Sequence, residues 1–230
     1  MNTDRTFTRR ASLLKLAGLA AVAAGGSTLS AREAEGAGPA GVATGAVSCV
    51  LTPELTDGPY YISGEAFRRD VTEGRPGVPL TLRTTVVSAS TCKPIKNAVV
   101  EIWHADASGV YSGFGSGSSN RTAMRGKQRT DRNGLAVFNT IYPGWYQGRT
   151  VHVHVKVWVS GNVVHTGQLF FPEAVSDAVY ANAPYAARGA RDQHNTTDSI
   201  FVNGGSKGML KMARAAGAYT GAITMGVVKA

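Results

Sequence analysis

The sequence predicts a mostly β protein: a single-domain β-sandwich with long functional loops. Three observations lead there. Glycine is abundant, at 28 of 230 residues, and β-branched residues are frequent while long charged helical stretches are missing. Short strand-like runs are separated by turn signals, as in a sandwich. One run, Val151 to Ser160, alternates strictly between valine and another residue type. With 43% hydrophobic and 17% charged residues the chain reads as globular rather than disordered. Its length leaves room for one ordinary domain with a core of its own.

Residues 1–40 read as a twin-arginine signal peptide and linker, not as fold. Thr8-Arg9-Arg10-Ala11-Ser12-Leu13-Leu14-Lys15 carries the paired arginines, and the apolar stretch Leu16 to Gly26 follows. That stretch is too short and too weakly apolar for a comfortable transmembrane span. The expectation is export by the twin-arginine route to an extracellular or periplasmic location. No stable membrane anchor is expected, because Ala46-Val47-Ser48 before Cys49 is a poor lipobox far from the apolar stretch. The route carries folded proteins, often with a metal or cofactor inserted, so the leader itself hints at a cofactor. Cys49 and Cys92 are the two cysteines, and in an oxidising compartment such a pair is most simply a disulfide.

The domain is expected over residues 45–205, with residues 206–230 as a C-terminal tail of a few helical residues followed by Gly, Ala and Thr. Within it, Pro79 to Ser90 and Asn97 to His104 read as strands from their β-branched enrichment. Asp131-Arg132-Asn133-Gly134 is a turn signal leading into a third strand, Leu135 to Ile141. Val151 to Ser160 is the clearest strand, and Ser160-Gly161-Asn162 turns it into Val163 to Phe171 as a hairpin. Pro172 to Thr197 is loop-like with a short helix near Ala174 to Tyr180, and Ser199 to Val202 reads as a short strand.

The net charge is +9, and the first forty residues hold five of the 24 basic and three of the 15 acidic side chains, which leaves the remainder near +7. The basic residues are scattered, with a modest cluster from Arg121 to Arg132 that reads as solvated surface. No basic run interleaves with aromatics, so no nucleic-acid partner is expected.

The chemistry sits on the alternating strand. Successive strand side chains point to opposite faces, so the valines face a core while His152, His154, Lys156 and Trp158 share the other face. His152 and His154 then lie roughly 7 Å apart at Cα, which suits two imidazoles converging on one metal. That spacing alone fits zinc, copper or iron. No third histidine lies at an obvious ligand spacing and no carboxylate flanks the pair. Two tyrosines occupy turn-rich segments instead: Tyr146, six residues before His152, and Tyr111, just after the strand ending at Trp103-His104. Phenolate is a hard anionic donor and prefers trivalent iron over zinc.

The combined motifs resemble the intradiol ring-cleavage dioxygenases, and most of all their small exported branch. The matching segments are Leu51-Thr52-Pro53-Glu54, Asp57-Gly58-Pro59-Tyr60-Tyr61, Val100 to Asp106, Gly109-Val110-Tyr111-Ser112, Thr130-Asp131, Tyr142 through Tyr146, Gly148 through His154, and Gln168-Leu169-Phe170-Phe171-Pro172. The resemblance implies Fe(III) held by Tyr111 and His152 as equatorial ligands and by Tyr146 and His154 as axial ones. It implies a substrate-side arginine at Arg149, a pocket glutamine at Gln168, and a catalytic base role for Tyr146. The implied reaction opens a small aromatic catechol with O2 between its two hydroxylated carbons, giving a muconate-type diacid. An exported iron- or catechol-binding protein without turnover is the alternative, and a zinc or copper hydrolase or oxidase built on the histidine pair is a more distant one. The N-terminal helical dimerisation region of the large cytoplasmic members is not recognisable, which leaves a homodimer open.

Overall fold

The computed structural model describes Cys49, residues 51–114 and residues 121–228. The leader and linker expected over residues 1–40 lie outside the described residues. Eight strands form two four-stranded sheets. They are β1 (Pro79–Ser88), β2 (Val99–Trp103), β3 (Arg125–Arg129), β4 (Leu135–Ile141), β5 (His152–Val159), β6 (Asn162–Phe170), β7 (Lys211–Ala215) and β8 (Ala218–Val227). One sheet runs β4-β1-β8-β7 and the other β3-β2-β5-β6. The mostly β sandwich expected from the sequence is therefore what the chain forms.

Alternation explains why the sheets pack face to face. Leu80, Leu82 and Val86 on β1, Phe138 on β4 and Met225 on β8 meet Val100 and Ile102 on β2, Val153, Val155 and Val157 on β5, and Leu169 on β6 in one buried cluster. Each such side chain stabilises the fold by about 1.5–3 kcal/mol relative to exposure. The β5–β6 hairpin closes through Ser160 and Gly161, both at positive φ (52° and 86°), the two-residue geometry that matches strand twist.

The C-terminal expectation needs correction. Residues 206–230 are expected to form a tail beyond a domain ending at residue 205, yet β7 and β8 complete one of the two sheets. Strand β8 pairs in parallel with β1 from Leu80–Tyr219 to Ser88–Val227, so it is a central strand. Ser199–Val202 is a short helix rather than a strand, because Asp198 caps it by accepting from the Ile200 and Phe201 amides. The helix expected near Ala174 to Tyr180 is present as α1 (Glu173–Tyr180), and the Ser199–Val202 helix is α2. Cys49 and Cys92 are disulfide-bonded, as expected.

Candidate metal centre

The polar face of β5 points away from the sandwich core, and loops bury it. His152 and His154 are 2% and 1% exposed. One wall is the segment 56–61. Gly58 adopts φ +65°, and a Cβ there would stand 3.2 Å from His154 Cε1, so glycine lets the backbone approach the imidazole. Its neighbours Tyr60 and Tyr61 pack on Tyr111 and Trp103, with ring centroids 4.4 and 5.0 Å apart. Tyr111 comes from the turn after β2 and Tyr146 from the loop between β4 and β5.

Four donor atoms converge here. His152 Nε2 lies 3.1 Å from His154 Nε2, 3.1 Å from Tyr146 Oη and 3.4 Å from Tyr111 Oη. His152 Nδ1 donates to the Thr150 carbonyl at 2.6 Å, which leaves one lone pair on Nε2 facing three possible donors. One lone pair cannot accept all three. A cation bound to all four atoms removes the conflict, and donors held about 2.1 Å from one ion stand roughly 3.0–3.4 Å from each other. The donor set thus fits a metal ion. Among the described residues no group of three or more His, Cys, Asp or Glu side chains is placed to hold a metal, so the two phenols are needed to complete the set.

The electrostatics agree with neutral nitrogen ligands. Burial, with the Arg149 charge behind it, pushes His152 down to about 3. His154 is held well below the usual histidine range, again by burial first and then by His152. Burial raises both tyrosines above the usual phenol range, Tyr111 strongly so. Without a cation the phenols therefore keep their protons, and a nearby multivalent charge is what would ionise them.

Arg149 and Gln168 stand together beside this cluster. Arg149 NH2 donates to Gln168 Oε1 at 2.5 Å, and Gln168 Nε2 donates to the Thr56 carbonyl at 2.9 Å. Arg149 Nε donates to Asp198 Oδ2 at 2.8 Å, and the same oxygen accepts from the Thr150 amide. Accepted bonds outweigh burial and hold the Asp198 carboxyl below the usual range: burial raises it, while the Phe201 and Thr150 amides and Arg149 lower it further. All six residues singled out in the sequence are thus brought into one place. Tyr60 and Thr150 lie in the matching segments without an assigned role, Asp198 lies outside them, and the one local signal for Asp198 is its N-cap position before Ser199-Ile200-Phe201. The basic cluster also needs correction, since Arg125 is 1% exposed rather than solvated.

Fold and site together define a β-sandwich protein built around a mixed phenol–imidazole donor cluster. Residues 56–197 match the family model described as Dioxygenase. The chain resembles an intradiol ring-cleavage dioxygenase from Tetranychus urticae at 35% identity and a TM-score of 0.74, over 78% of this chain and 95% of that one. It also resembles the dioxygenase domain of a dioxygenase–carbohydrate-binding protein fusion from Streptomyces sp. SirexAA-E, at 31% identity and a TM-score of 0.62, over 78% and 99%. Catechol 1,2-dioxygenase of Acinetobacter baylyi is 38% identical over 101 residues, covering 41% of this chain and 32% of that protein. This chain belongs to the intradiol ring-cleavage dioxygenase family, whose members generally depend on non-haem iron. Its match covers about a third of the length of the first catechol 1,2-dioxygenases it aligns with.

Proposed function

We propose that the protein is an exported ferric dioxygenase that cleaves a catechol ring between its two hydroxylated carbons, incorporating both atoms of O2 to give a muconate-type diacid. The observation that carries this reading is the convergence of Tyr111, Tyr146, His152 and His154 at donor separations of 3.1–3.4 Å beside the Arg149–Gln168 pair. These four residues would hold Fe(III), and two phenolates with two neutral imidazoles leave one positive charge for a hydroxide to cancel. The bound ion would supply Lewis acidity that lowers the pKa of the substrate hydroxyls.

The chain's own residues do the rest. Tyr146 is the more exposed of the two phenols, so its Oη is the atom that takes up a proton from a substrate hydroxyl. Tyr111 is 3% exposed and packed among rings, and it stays in place. Arg149 is held by Asp198 and Gln168 so that its guanidinium faces the cluster and stabilises negative charge developing on the ring, a preorganised role. Trp103 stacks on His154 with centroids 4.9 Å apart and keeps water from that side of the site.

The test is oxygen uptake by the iron-loaded protein with catechol, together with ultraviolet detection of the diacid. Stoichiometric uptake with diacid formation supports the enzyme. Tight catechol binding without uptake would instead support the binding-protein alternative. Export is tested by fractionating cells that express the full chain with and without Arg9 and Arg10 replaced by lysine.

A further inference from the structure

Arg125 takes no part in the chemistry above, and its burial is costly for a side chain of permanent charge. It lies on β3, an edge strand of the site sheet, paired with Trp103 on β2. Its side chain turns inward, and all three guanidinium nitrogens are engaged. Nε donates to Ser112 Oγ at 2.9 Å, NH2 to the Ser112 carbonyl at 2.9 Å, and NH1 to the Tyr60 carbonyl at 2.8 Å. Its Cζ stands 6.0 Å from the Tyr111 ring centroid and 5.7 Å from that of Phe114. Ser112 Oγ passes the contact on by donating to the Ala123 carbonyl at 2.6 Å.

We propose that Arg125 is the positioning residue of the Tyr111 side of the site: its planar fork ties the Tyr111–Ser112 turn to the Tyr60 segment and so sets where the Tyr111 phenol and the Tyr60 wall stand. The proposal rests on the metal-site reading above. Tyr60 and Tyr111 belong to segments about fifty residues apart in sequence, yet their rings stack at 4.4 Å with planes 19° apart. The Tyr60 carbonyl and Ser112, the residue after Tyr111, are joined by one guanidinium whose three contacts need donors in fixed directions. Lysine carries the charge but not the fork, so it cannot reach two carbonyls and a hydroxyl at once. The two Ser112 acceptors left behind are buried and the Tyr60 carbonyl is half-buried, which makes the loss local to these two segments. The Tyr60 segment also carries Gly58, which sits against His154, so the fork also steadies the loop that covers the second imidazole.

The experiment compares wild type, Arg125→Lys, Arg125→Met and Ser112→Ala as full-length proteins. Amide hydrogen exchange of the metal-free proteins and competition for Fe(III) against a chelator are both measured. The expected result is faster exchange confined to residues 57–62 and 110–114, with β1 and β8 unchanged, and iron affinity lower by about 10–100-fold in both arginine variants. Ser112→Ala, which removes one of the three acceptors, is expected to shift both readings in the same direction by less. If Arg125→Lys behaves as wild type, charge rather than the fork matters and the proposal is overturned. If the arginine variants do not fold, Ser112→Ala decides alone, and wild-type exchange and affinity there overturn it. Wild type that binds no iron would overturn the metal-site reading, while the exchange comparison would still judge Arg125.

Discussion

Replacing Asp198 with asparagine tests how Arg149 is held. Its Oδ2 accepts from Arg149 Nε and the Thr150 amide, both at 2.8 Å, and its Oδ1 caps α2 from the Ile200 and Phe201 amides at 2.8 and 2.9 Å. Asparagine has one acceptor oxygen. Turned toward the helix, it keeps the cap but aims its NH2 at two N–H donors. Turned the other way, it serves Arg149 and loses the cap. Either orientation strips two donors of their acceptor in a nearly buried place, where the carboxylate side chain is 1% exposed. Bonds to charged groups contribute about 1.5–3 kcal/mol each, of which a part is recovered by relaxation, so the expected loss is about 2–4 kcal/mol in urea unfolding. The second consequence is catalytic. Arg149 freed from Asp198 keeps Gln168 as its partner and drifts, and a displacement of about 1 Å costs roughly 100-fold in turnover. Oxygen uptake with catechol should show a kcat about 100-fold lower with a smaller change in KM. Reduced stability with kcat within about twofold of wild type would refute the claim that Asp198 positions Arg149.

Other outcomes follow from the same contacts. Tyr146→Phe should keep most of the iron and lose most turnover, and undiminished oxygen uptake would remove the proton-acceptor role. In the metal-free protein burial holds His152 at about 3 and His104 and His165 at about 4, whereas the unfolded chain titrates near 6.5. The unfolded state then binds more protons below pH 6.5, so stability is full above that value and falls steadily towards pH 3 in urea titrations. Asp198, with its folded value depressed, adds a further loss below about pH 4, and Asp198→Asn should flatten that last part of the acid limb. Reducing the disulfide opens a loop with a sequence separation of 43, and the midpoint of unfolding should move by an amount equivalent to about 4 kcal/mol.

How much of this was legible in the sequence depends on where the side chains face. Strand β5 was plain because valine alternates with His152, His154, Lys156 and Trp158, and one face had to be core. The β5–β6 hairpin was plain because Ser160-Gly161 is turn chemistry between two β-branched runs. Strand β8 was missed because its stretch, AYTGAITMGV, is rich in Gly, Ala and Thr and offers little hydrophobic contrast. Its register with β1 buries Tyr219, Gly221 and Met225 on one face, a period of two that small residues obscured. Strand β3 was missed because Arg-Gly-Lys-Gln-Arg carries no apolar pattern. It is a strand because β2 pairs along its whole length and because segment 66–68 covers its other edge. Helix α2 was misread because Ile200 and Val202 favour strands, and only the Asp198 cap decides otherwise. At the site, motif order named the four donors, Arg149 and Gln168. The supports, Asp198 and Arg125, come from distant segments and have no local signature beyond a cap and a charge.

The central claim is a tyrosine-ligated ferric centre that a catechol chelates directly. The most direct measurement is the visible absorption spectrum of the purified protein in air, then under nitrogen with catechol added. The expected result is a burgundy tyrosinate-to-iron band that moves to longer wavelength when catechol binds and that decays as ring cleavage proceeds once oxygen is admitted. A colourless protein containing stoichiometric zinc, with no spectral response to catechol, would contradict it.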